Sequence, residues 1–591
     1  MFFKKIIDNF NHIVNLTITE IVIVSLLALL NINVLEAHPR IQSDTDSKSY
    51  SHHNYQQHHR KSHSKIAFND VSHLLDFERV DDLLTVPIAD RLGGAAWLDY
   101  DNDGDLDLFL TNAPGGNNAL FRNDKGKFVD VAESAGITGD KSGFTGALAG
   151  DINNDGWVDL FLTGANGFMG LGRPSRLYQN NGDGSFTDTT ATSGIAANHL
   201  AAMAVFGDID GDRFLDLFVA SPGNFTLRTL TEQKLYHNNG DGTFTDISES
   251  AGINTSLGGC VAAFSDFNHD LRADILVGNC GNLSNLDNPD PRTHRPIPGP
   301  WELWINQGDN TFIDQADVAG LNVRPGLPMA LTSADFDLDG DIDWFATGMG
   351  LSNPFVPGLL GEQVLFTNLN DETFADATYP SGLGGFEWGW GASFADFDND
   401  GDEDLATVGS FVTSLVILPT SLANPGLIFE NKGNGEFKEK INLALQDQAT
   451  SGLAVADYDN DGYSDLVIIK AAYNGINMLG ETVQGDGAPV LLHNKGNKNR
   501  SLTIRLTGTL SNPMAIGAQV TVHARKMKAQ VRELAAGTSF VSTNSPWLTF
   551  GLGRQRYAVV VVQWPSGLKE AFWAKASKKR VELVEGSGYV L

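Results

Sequence analysis

The sequence of 591 residues is poor in cysteine and in basic residues, with two cysteines and 41 Lys and Arg against 72 Asp and Glu. The net charge of −31 argues against a nucleic-acid-binding protein, because recognition of phosphates needs a basic surface. Beyond residue 37, no apolar run is long enough to predict a transmembrane helix. The length predicts more than one domain.

Residues 1–37 have the organisation of a secretory signal peptide. Lys4 and Lys5 precede an apolar run at residues 21–30, and Ala37 is a possible cleavage point. The sequence therefore predicts export to the periplasm, the cell surface or the medium, with no membrane span in the mature chain. An uncleaved N-terminal membrane anchor is the alternative, although the apolar run is short for a span.

Residues 38–64 consist mainly of Ser, His and Gln and contain almost no apolar side chains. Such a segment cannot bury enough surface to fold, so we expect a disordered linker. Its histidines would also suit a transition metal, as an alternative to a plain linker: His52, His53, His58, His59 and His63.

Seven nine-residue segments, here called loops one to seven, place oxygen-bearing side chains at alternate positions around a turn residue. Ca²⁺ takes six to eight oxygen ligands, which positions 1, 3, 5 and 9 can supply from side chains and position 7 from its carbonyl. An EF-hand would need Glu at position 12, where loop one has Leu110. We therefore predict up to seven structural calcium sites.

The predicted ligands are Asp99, Asp101, Asp103, Asp105 and Asp107 in loop one; Asp151, Asn153, Asp155, Trp157 and Asp159 in loop two; Asp208, Asp210, Asp212, Phe214 and Asp216 in loop three; Asp266, Asn268, Asp270, Arg272 and Asp274 in loop four; Asp335, Asp337, Asp339, Asp341 and Asp343 in loop five; Asp396, Asp398, Asp400, Asp402 and Asp404 in loop six; and Asp457, Asp459, Asp461, Tyr463 and Asp465 in loop seven. Loop four should bind most weakly, because Leu271 replaces the turn glycine and Asn268 removes one charge.

The loops recur every 52 to 69 residues, a period typical of a propeller or a solenoid. Most repeats also contain Leu-aromatic-x-Asn and Phe-x-Asp, so each unit reads as four short strands. The seventh repeat lacks Phe-x-Asp, whereas an unpaired Phe68-Asn-Asp70 precedes loop one. This predicts a seven-bladed β-propeller at residues 65–495, in which the N-terminal strand completes the last blade.

The loops and their flanks resemble the calcium-binding FG-GAP (or VCBS) repeats of integrin α-subunits. Residues 496–591 read as a small β domain, and Gly537-Thr-Ser-Phe-Val-Ser542 and Trp564-Pro-Ser-Gly567 are similar to an ASPIC/UnbV domain. The pairing resembles the cartilage acidic protein family in its simpler, bacterial-type form, because two cysteines cannot build the EGF-like module of its animal members. This resemblance implies a secreted or cell-surface propeller with Ca²⁺ in its first hairpins.

Cys260 lies six residues before loop four and Cys280 lies six residues after it. In a hairpin centred on that loop the two residues would face each other. We therefore predict a cross-strand disulfide, with free thiols as the alternative.

The longest connections are predicted on the face opposite the acidic loops, where a rigid scaffold commonly carries binding. The leading hypothesis is a monomeric, non-catalytic module for adhesion to an extracellular protein or glycan. The alternatives are a polysaccharide-active hydrolase or lyase and a structural envelope scaffold. The candidate contact residues are Arg292, His294, Phe355, Trp388 and Trp390. The alternative for the two tryptophans is that they fill the interior of the ring.

Overall fold

The computed structural model describes residues 66–77, 92–164, 173–222, 231–253, 255–280, 299–323, 328–348, 351–353, 356–359, 363–384, 389–409, 424–443, 445, 449–476, 482–576 and 580–591. The chain separates into two units, residues 1–63 with 353–357 and residues 64–352 with 358–591. Nearly all described residues belong to the second unit, whose regular secondary structure is almost entirely β-strand.

The repeats form antiparallel four-stranded sheets, each built from strands that follow one another along the chain. Their bounds are β2–β5 at Ala95–Leu98, Asp107–Leu110, Ala119–Asn123 and Phe128–Asp130; β6–β9 at Phe144–Gly150, Asp159–Gly164, Arg176–Asn180 and Phe186–Asp188; β10–β13 at Met203–Gly207, Asp216–Ala220, Lys234–Asn238 and Phe244–Asp246; and β14–β17 at Gly259–Ser265, Asp274–Asn279, Trp301–Asn306 and Phe312–Asp314.

Three further sheets follow, two of the same kind and a last one that takes a strand from the N-terminal side. Their strands are β18, β19, β22 and β23 at Pro328–Ala334, Asp343–Gly348, Val364–Asn368 and Phe374–Asp376; β24–β27 at Ala392–Ala395, Asp404–Gly409, Asn424–Asn431 and Phe437–Asn442; and β28, β29, β31 and β1 at Ala449–Ala456, Asp465–Ile476, Val490–Asn494 and Phe68–Asp70. The remaining elements here are β20 (Leu351–Asn353), β21 (Val356–Leu359), β30 (Thr482–Asp486), helix α1 (Ser248–Ala251) and 3₁₀ turns at Ser72–Leu74 and Leu321–Val323.

The first strands of the sheets contact one another in a cycle, β2, β6, β10, β14, β18, β24, β28 and back to β2. β2, β6, β10 and β14 are rich in Ala and Gly and are buried throughout, because small side chains fit best where sheets converge. Radially repeated four-stranded sheets are the architecture of a β-propeller. β1 pairs with β31, Phe68 opposite Asn494, which confirms the predicted contribution of the N-terminal strand to the last sheet.

Cys260 on β14 and Cys280 directly after β15 are joined by a disulfide, with their Cα atoms 5.7 Å apart. The register shifts at Cys260, between the Gly259–Asn279 and Val261–Gly278 pairs, and the Cys280 N–H donates to the Gly258 carbonyl at 2.7 Å. The disulfide therefore joins the two strands at the end of the hairpin that lies away from loop four.

The C-terminal residues form two sheets whose buried apolar side chains belong to one cluster with residues of the second and third propeller sheets, such as Leu148 and Phe206. The three-stranded sheet has the order β35-β32-β38, in which β32 and β38 are parallel, and the five-stranded sheet has the order β34-β33-β36-β37-β39. The strands are β32 at Arg500–Thr507, β33 at Gln519–Ala524, β34 at Gln530–Glu533, β35 at Leu548–Gly553, β36 at Tyr557–Gln563, β37 at Lys569–Lys575, β38 at Val581–Val584 and β39 at Tyr589–Val590.

Residues 536–545 of this C-terminal part, here called the axial segment, enter the centre of the cycle of sheets. Thr543 exchanges backbone hydrogen bonds with Ala95 and Trp97 on β2, and the Ser539 N–H donates to the Leu331 carbonyl on β18 at 2.9 Å. Space is so restricted that a Cβ atom on Gly94 would lie 1.9 Å from the Val541 carbonyl oxygen. Further hydrogen bonds reach β6, β10, β24 and β28, so the segment binds six of the innermost strands.

Among the residues that the structure describes, no helix is long and apolar enough to cross a membrane.

Candidate metal centres

Each acidic loop joins the first two strands of its sheet, and its ninth residue is the first residue of the second strand. That ninth residue is an Asp in all seven loops and is at most 2% exposed. In loop one, Asp107 Oδ1 accepts the N–H of Asn123 at 2.8 Å and Oδ2 accepts the N–H of Tyr100 at 3.1 Å. The same two bonds recur at Asp159, Asp216, Asp274, Asp343, Asp404 and Asp465.

The first residue of each loop also shapes the turn. Its carboxylate accepts the N–H of the sixth residue, for example from Gly401 to Asp396 at 2.8 Å. The sixth residue has a positive φ in every loop, including 82° at Arg213 and 69° at Leu271. This left-handed backbone explains why glycine is preferred there, and it makes loops three and four the strained members of the set.

In loops two, three and seven the aromatic side chain of the seventh residue packs against a glycine that follows the third strand. A Cβ atom on Gly182 would lie 2.7 Å from Trp157 Nε1, and Phe214 and Tyr463 lie similarly close to Gly240 and Gly496. In these three loops the backbone carbonyl is therefore the group that this position can offer to a metal, as the ligand prediction assumes.

The fourth residue couples neighbouring loops, which sequence reasoning missed. Asn102 Nδ2 donates to the Gly156 carbonyl in loop two at 2.9 Å, and Asn399 Nδ2 donates to the Gly462 carbonyl in loop seven at 2.8 Å. Asn154 makes the same bond to Arg213. The available signal was the recurrence of Asn at this position in four of the seven loops.

A second set of couplings comes from the Asn that ends each third strand. Asn180 Nδ2 donates to the Tyr100 carbonyl in loop one at 2.8 Å and to the Val158 carbonyl at 3.2 Å, while its Oδ1 accepts the Gly182 N–H at 3.0 Å. Equivalent bonds from Asn123 reach the Tyr458 carbonyl in loop seven at 2.8 Å. The sequence showed this Asn only as a recurring part of the repeat. The structure shows that it links one sheet to the previous one in six of the seven sheets, whereas Asn368 bonds to the Ile342 carbonyl of its own sheet.

The structure brings together side-chain oxygens within 4.8 Å of one another in several loops. In loops two and four the amide at position three donates instead to the Asp at position five, Asn153 to Asp155 at 2.8 Å and Asn268 to Asp270 at 3.2 Å. The converging sets include Asp99, Asp101 and Asp107 in loop one; Asp208, Asp210 and Asp216 in loop three; and Asp335, Asp337 and Asp339 in loop five.

The buried oxygens of loop five fit a divalent cation. Asp335 is 1% exposed, and its Oδ2 accepts no hydrogen bond of ordinary geometry. Burial raises the pKa of this carboxyl to about 7, although nearby backbone N–H groups, among them that of Val531, oppose the shift. A buried carboxylate oxygen without a well-placed hydrogen-bond donor destabilises the fold unless a bound cation compensates its charge. The carboxylates of Asp335, Asp337, Asp339 and Asp343 and the Asp341 carbonyl would hold such an ion.

Histidines join two of these sets, a feature that sequence reasoning did not assign. His237 Nε2 lies 2.8 Å from Asp210 Oδ2, and His493 Nδ1 lies 3.3 Å from Asp465 Oδ1. Both precede the strand-ending Asn, so the sequence signal was present in Leu-Tyr-His-Asn and Leu-Leu-His-Asn. The hydrogen bond to Asp465 raises the pKa of His493 to about 9.

Burial raises the pKa of the Asp carboxyl at the ninth position of every loop, and neighbouring carboxylates raise it further. The pKa reaches about 8 at Asp107 and Asp159 and about 9 at Asp343, even though backbone N–H groups oppose the shift. Without a metal these groups therefore hold protons at neutral pH. A bound cation would displace them.

We expect the free energy of unfolding of the metal-free protein to fall as the pH rises from about 5 to about 9. The buried ninth-position carboxyls, such as that of Asp343, and the His493 imidazole have raised pKa values. These groups therefore bind more protons in the folded state than in the unfolded state throughout this window, and the stability they contribute is lost as they deprotonate. Urea unfolding at several pH values in EDTA measures this slope. A stability that increases with pH would contradict it, and calcium-saturated protein is the control in which the slope should flatten.

Basic residues of the C-terminal part lie over the loop face. Arg505 Nη1 is 3.6 Å from Asp99 Oδ2, and Arg580 donates to the Gly104 carbonyl while lying over the Trp547 ring. Arg532 is 8% exposed, packs on the Phe550 ring and places its Nε 3.1 Å from Glu403 Oε1. The acidic loops are therefore partly covered and partly neutralised from within the chain.

One of the contact residues predicted from the sequence does not lie at the surface. Trp390 is 5% exposed, and its ring packs against Phe540 of the axial segment with the centroids 5.0 Å apart. Trp390 is therefore an interior residue, as the alternative interpretation predicted, and its prediction as a surface contact is wrong. Arg292, His294, Phe355 and Trp388 lie outside the described residues.

Comparisons with known proteins agree with the repeat and the tail. The FG-GAP-like repeat family matches residues 99–162, 151–219, 208–277 and 415–468, and the ASPIC and UnbV family matches residues 508–589. The chain is 25% identical over 498 residues to cartilage acidic protein 1 of Xenopus tropicalis, covering 80% of this chain and 70% of that protein. It is 23% identical to the protein of that name from Homo sapiens, covering 80% and 69%. A solved GH74 xyloglucanase from Xanthomonas campestris is similar with a TM-score of 0.39 and 10% identity, covering 83% of this chain and 67% of that one.

Proposed function

We propose that this chain, which carries FG-GAP-like repeats followed by an ASPIC and UnbV domain, is an exported, calcium-binding propeller of seven blades. Its role would be non-catalytic binding of a protein or a carbohydrate outside the cell. The observation that carries the proposal is the set of acidic loops joined side by side by Asn side chains. Ions bound there would stabilise the loops and, through these bonds, the neighbouring sheets.

Calcium is the metal that the donor set favours, because the loops offer carboxylates, amides and carbonyls and Ca²⁺ accepts many hard oxygen ligands. The loops would differ in affinity. Loop four would bind most weakly, since Leu271 holds a left-handed φ of 69° and Arg272 Nη2 already pairs with Asp270 Oδ2 at 2.8 Å. Loop five, with its buried Asp335 oxygen, would bind most strongly.

Metal analysis after gel filtration in calcium buffer tests the calcium sites. We expect several Ca²⁺ ions per chain, and about one fewer in the double variant Asp337→Ala/Asp339→Ala. The matched control is Asp183→Ala/Asp241→Ala, which removes two acidic side chains from exposed turns between third and fourth strands. Protein that retains no calcium, or equal losses in the two variants, would refute the proposal.

Partner capture tests the binding role. The immobilised, calcium-loaded protein is expected to retain a protein from extracellular medium or a component of a glycan array. Polysaccharides applied to the immobilised protein should be recovered with their chain length unchanged. Release of shortened products would show an enzyme instead, and a chain that retains no component in either format would contradict a binding module.

A further inference from the structure

The C-terminal domain carries a charge opposite to that of the rest of the chain. Residues 496–591 contain 14 Lys and Arg, four Glu and no Asp, a net charge of +10 in a chain whose total is −31. Arg505, Arg532 and Arg580 of this set face the acidic loops. These three arginines account for only part of the positive charge, because exposed lysines also lie on the surface of the domain.

One face of the five-stranded sheet carries exposed aromatic rings. Tyr557 on β36, Trp573 on β37 and Tyr589 on β39 are 55%, 75% and 77% exposed. Tyr557 pairs with Lys575, and Tyr589 pairs with Ala571. Since directly paired residues share a face and side chains alternate along a strand, all three rings lie on the same side.

The register places these rings on a diagonal. Trp573 is two residues from Ala571, the partner of Tyr589, and two residues from Lys575, the partner of Tyr557. Diagonal neighbours in a sheet are about 7–8 Å apart, so the rings form a row with regular spacing. Lys569 and Lys575 belong to the same face and are exposed at the two ends of β37.

The exposure of these rings is unusual within the chain. The opposite face of the sheet buries Val560, Val562 and Ala574 in the domain core. Of the tryptophans that the structure describes, Trp573 alone is mainly exposed. A row of exposed apolar side chains that the core does not use marks an interaction surface.

We propose that this face, defined by Tyr557, Trp573, Tyr589, Lys569 and Lys575, binds an anionic polysaccharide chain. The apolar C–H faces of pyranose rings pack on aromatic side chains. A row of aromatic side chains can therefore contact successive sugars of one extended chain. The two lysines would pair with uronate carboxylates or sulfates. A polyanion is favoured over a neutral glycan because this face is basic on an acidic protein, which would otherwise repel it.

This inference concerns a different domain from the acidic loops and does not require a ligand on the propeller. Its test uses the full chain in calcium buffer and isothermal titration with soluble oligosaccharides of galacturonate, alginate and heparin, with neutral dextran as a comparison. We expect binding to at least one anionic series, weakening of at least tenfold in Trp573→Ala and in Lys569→Gln/Lys575→Gln, and weaker binding at high salt. The control is Tyr379→Ala, a 55% exposed ring on the propeller, which should change affinity less than twofold.

Three outcomes would overturn the proposal. Failure to bind any of the anionic series would do so, as would equal affinity of Trp573→Ala and Tyr379→Ala. Equally tight binding of neutral dextran would show that the face recognises sugars by stacking alone and does not select an anionic polysaccharide. Gel filtration of the same variants adds an independent readout, because a dimer that only Trp573→Ala dissociates would identify this face as a self-association surface instead.

Discussion

Removal of calcium is expected to lower the melting temperature by about 10 °C or more. A ligand that binds only the folded state stabilises it by about 2.7 kcal/mol per site at a hundredfold excess over its dissociation constant, and this chain has several candidate sites. Without the ion, the buried carboxylates of a loop repel one another or must take up protons, as the raised pKa of Asp343 indicates. Thermal denaturation in EGTA, followed by circular dichroism, measures the effect.

Restoration provides the control for this experiment. Adding back excess Ca²⁺ should return the original melting temperature, whereas Mg²⁺ should do so poorly, because it demands a tighter octahedral site. The loop-five variant Asp337→Ala/Asp339→Ala should show a smaller shift on chelation than Asp183→Ala/Asp241→Ala. A melting curve that EGTA leaves unchanged would show that the loops fold as acidic turns and need no metal.

Replacing Asn180 by Leu is expected to destabilise the protein by about 3 kcal/mol. The side chain is 1% exposed and makes three hydrogen bonds, to the Tyr100 and Val158 carbonyls and from the Gly182 N–H. Leucine keeps the branched outline of the side chain but leaves these backbone groups without partners, and it removes one of the links between two sheets. Urea unfolding in calcium buffer measures the loss.

The adjacent residue supplies a matched control. Asn181 is exposed and bonds only to Ser185 and Thr187 within its own turn. Asn181→Leu should therefore change the free energy of unfolding by no more than about 0.5 kcal/mol. Similar losses in the two variants would show that the inter-sheet bonds add nothing beyond the local turn.

The repeat and the turns could be predicted because they depend on residues close in sequence. The spacing of Asp99, Asp101 and Asp103 places three carboxylates around one turn, whatever the rest of the chain does. The pairing of β1 with β31 also followed, since a missing fourth strand at one end and an extra strand at the other leave one arrangement without an open edge.

Other features depended on contacts that no local pattern specifies. Asp107 looked like a metal ligand only, whereas its two oxygens are also held by the N–H groups of Tyr100 and Asn123. Trp390 looked like a surface residue, yet Phe540, far along the chain, covers it. Burial is a property of what packs against a residue, and this partner comes from another domain.

The sequence by itself determined the all-β class, the four-strand repeat and the position of every acidic loop, because turn conformation and side-chain spacing are local properties. The tertiary structure alone decided that asparagines join neighbouring loops, that the axial segment fills the centre of the sheets, and that a basic domain lies over the loop face. Those contacts join residues from 80 to more than 400 positions apart, and only the convergence of the sheets on one axis brings them close to one another.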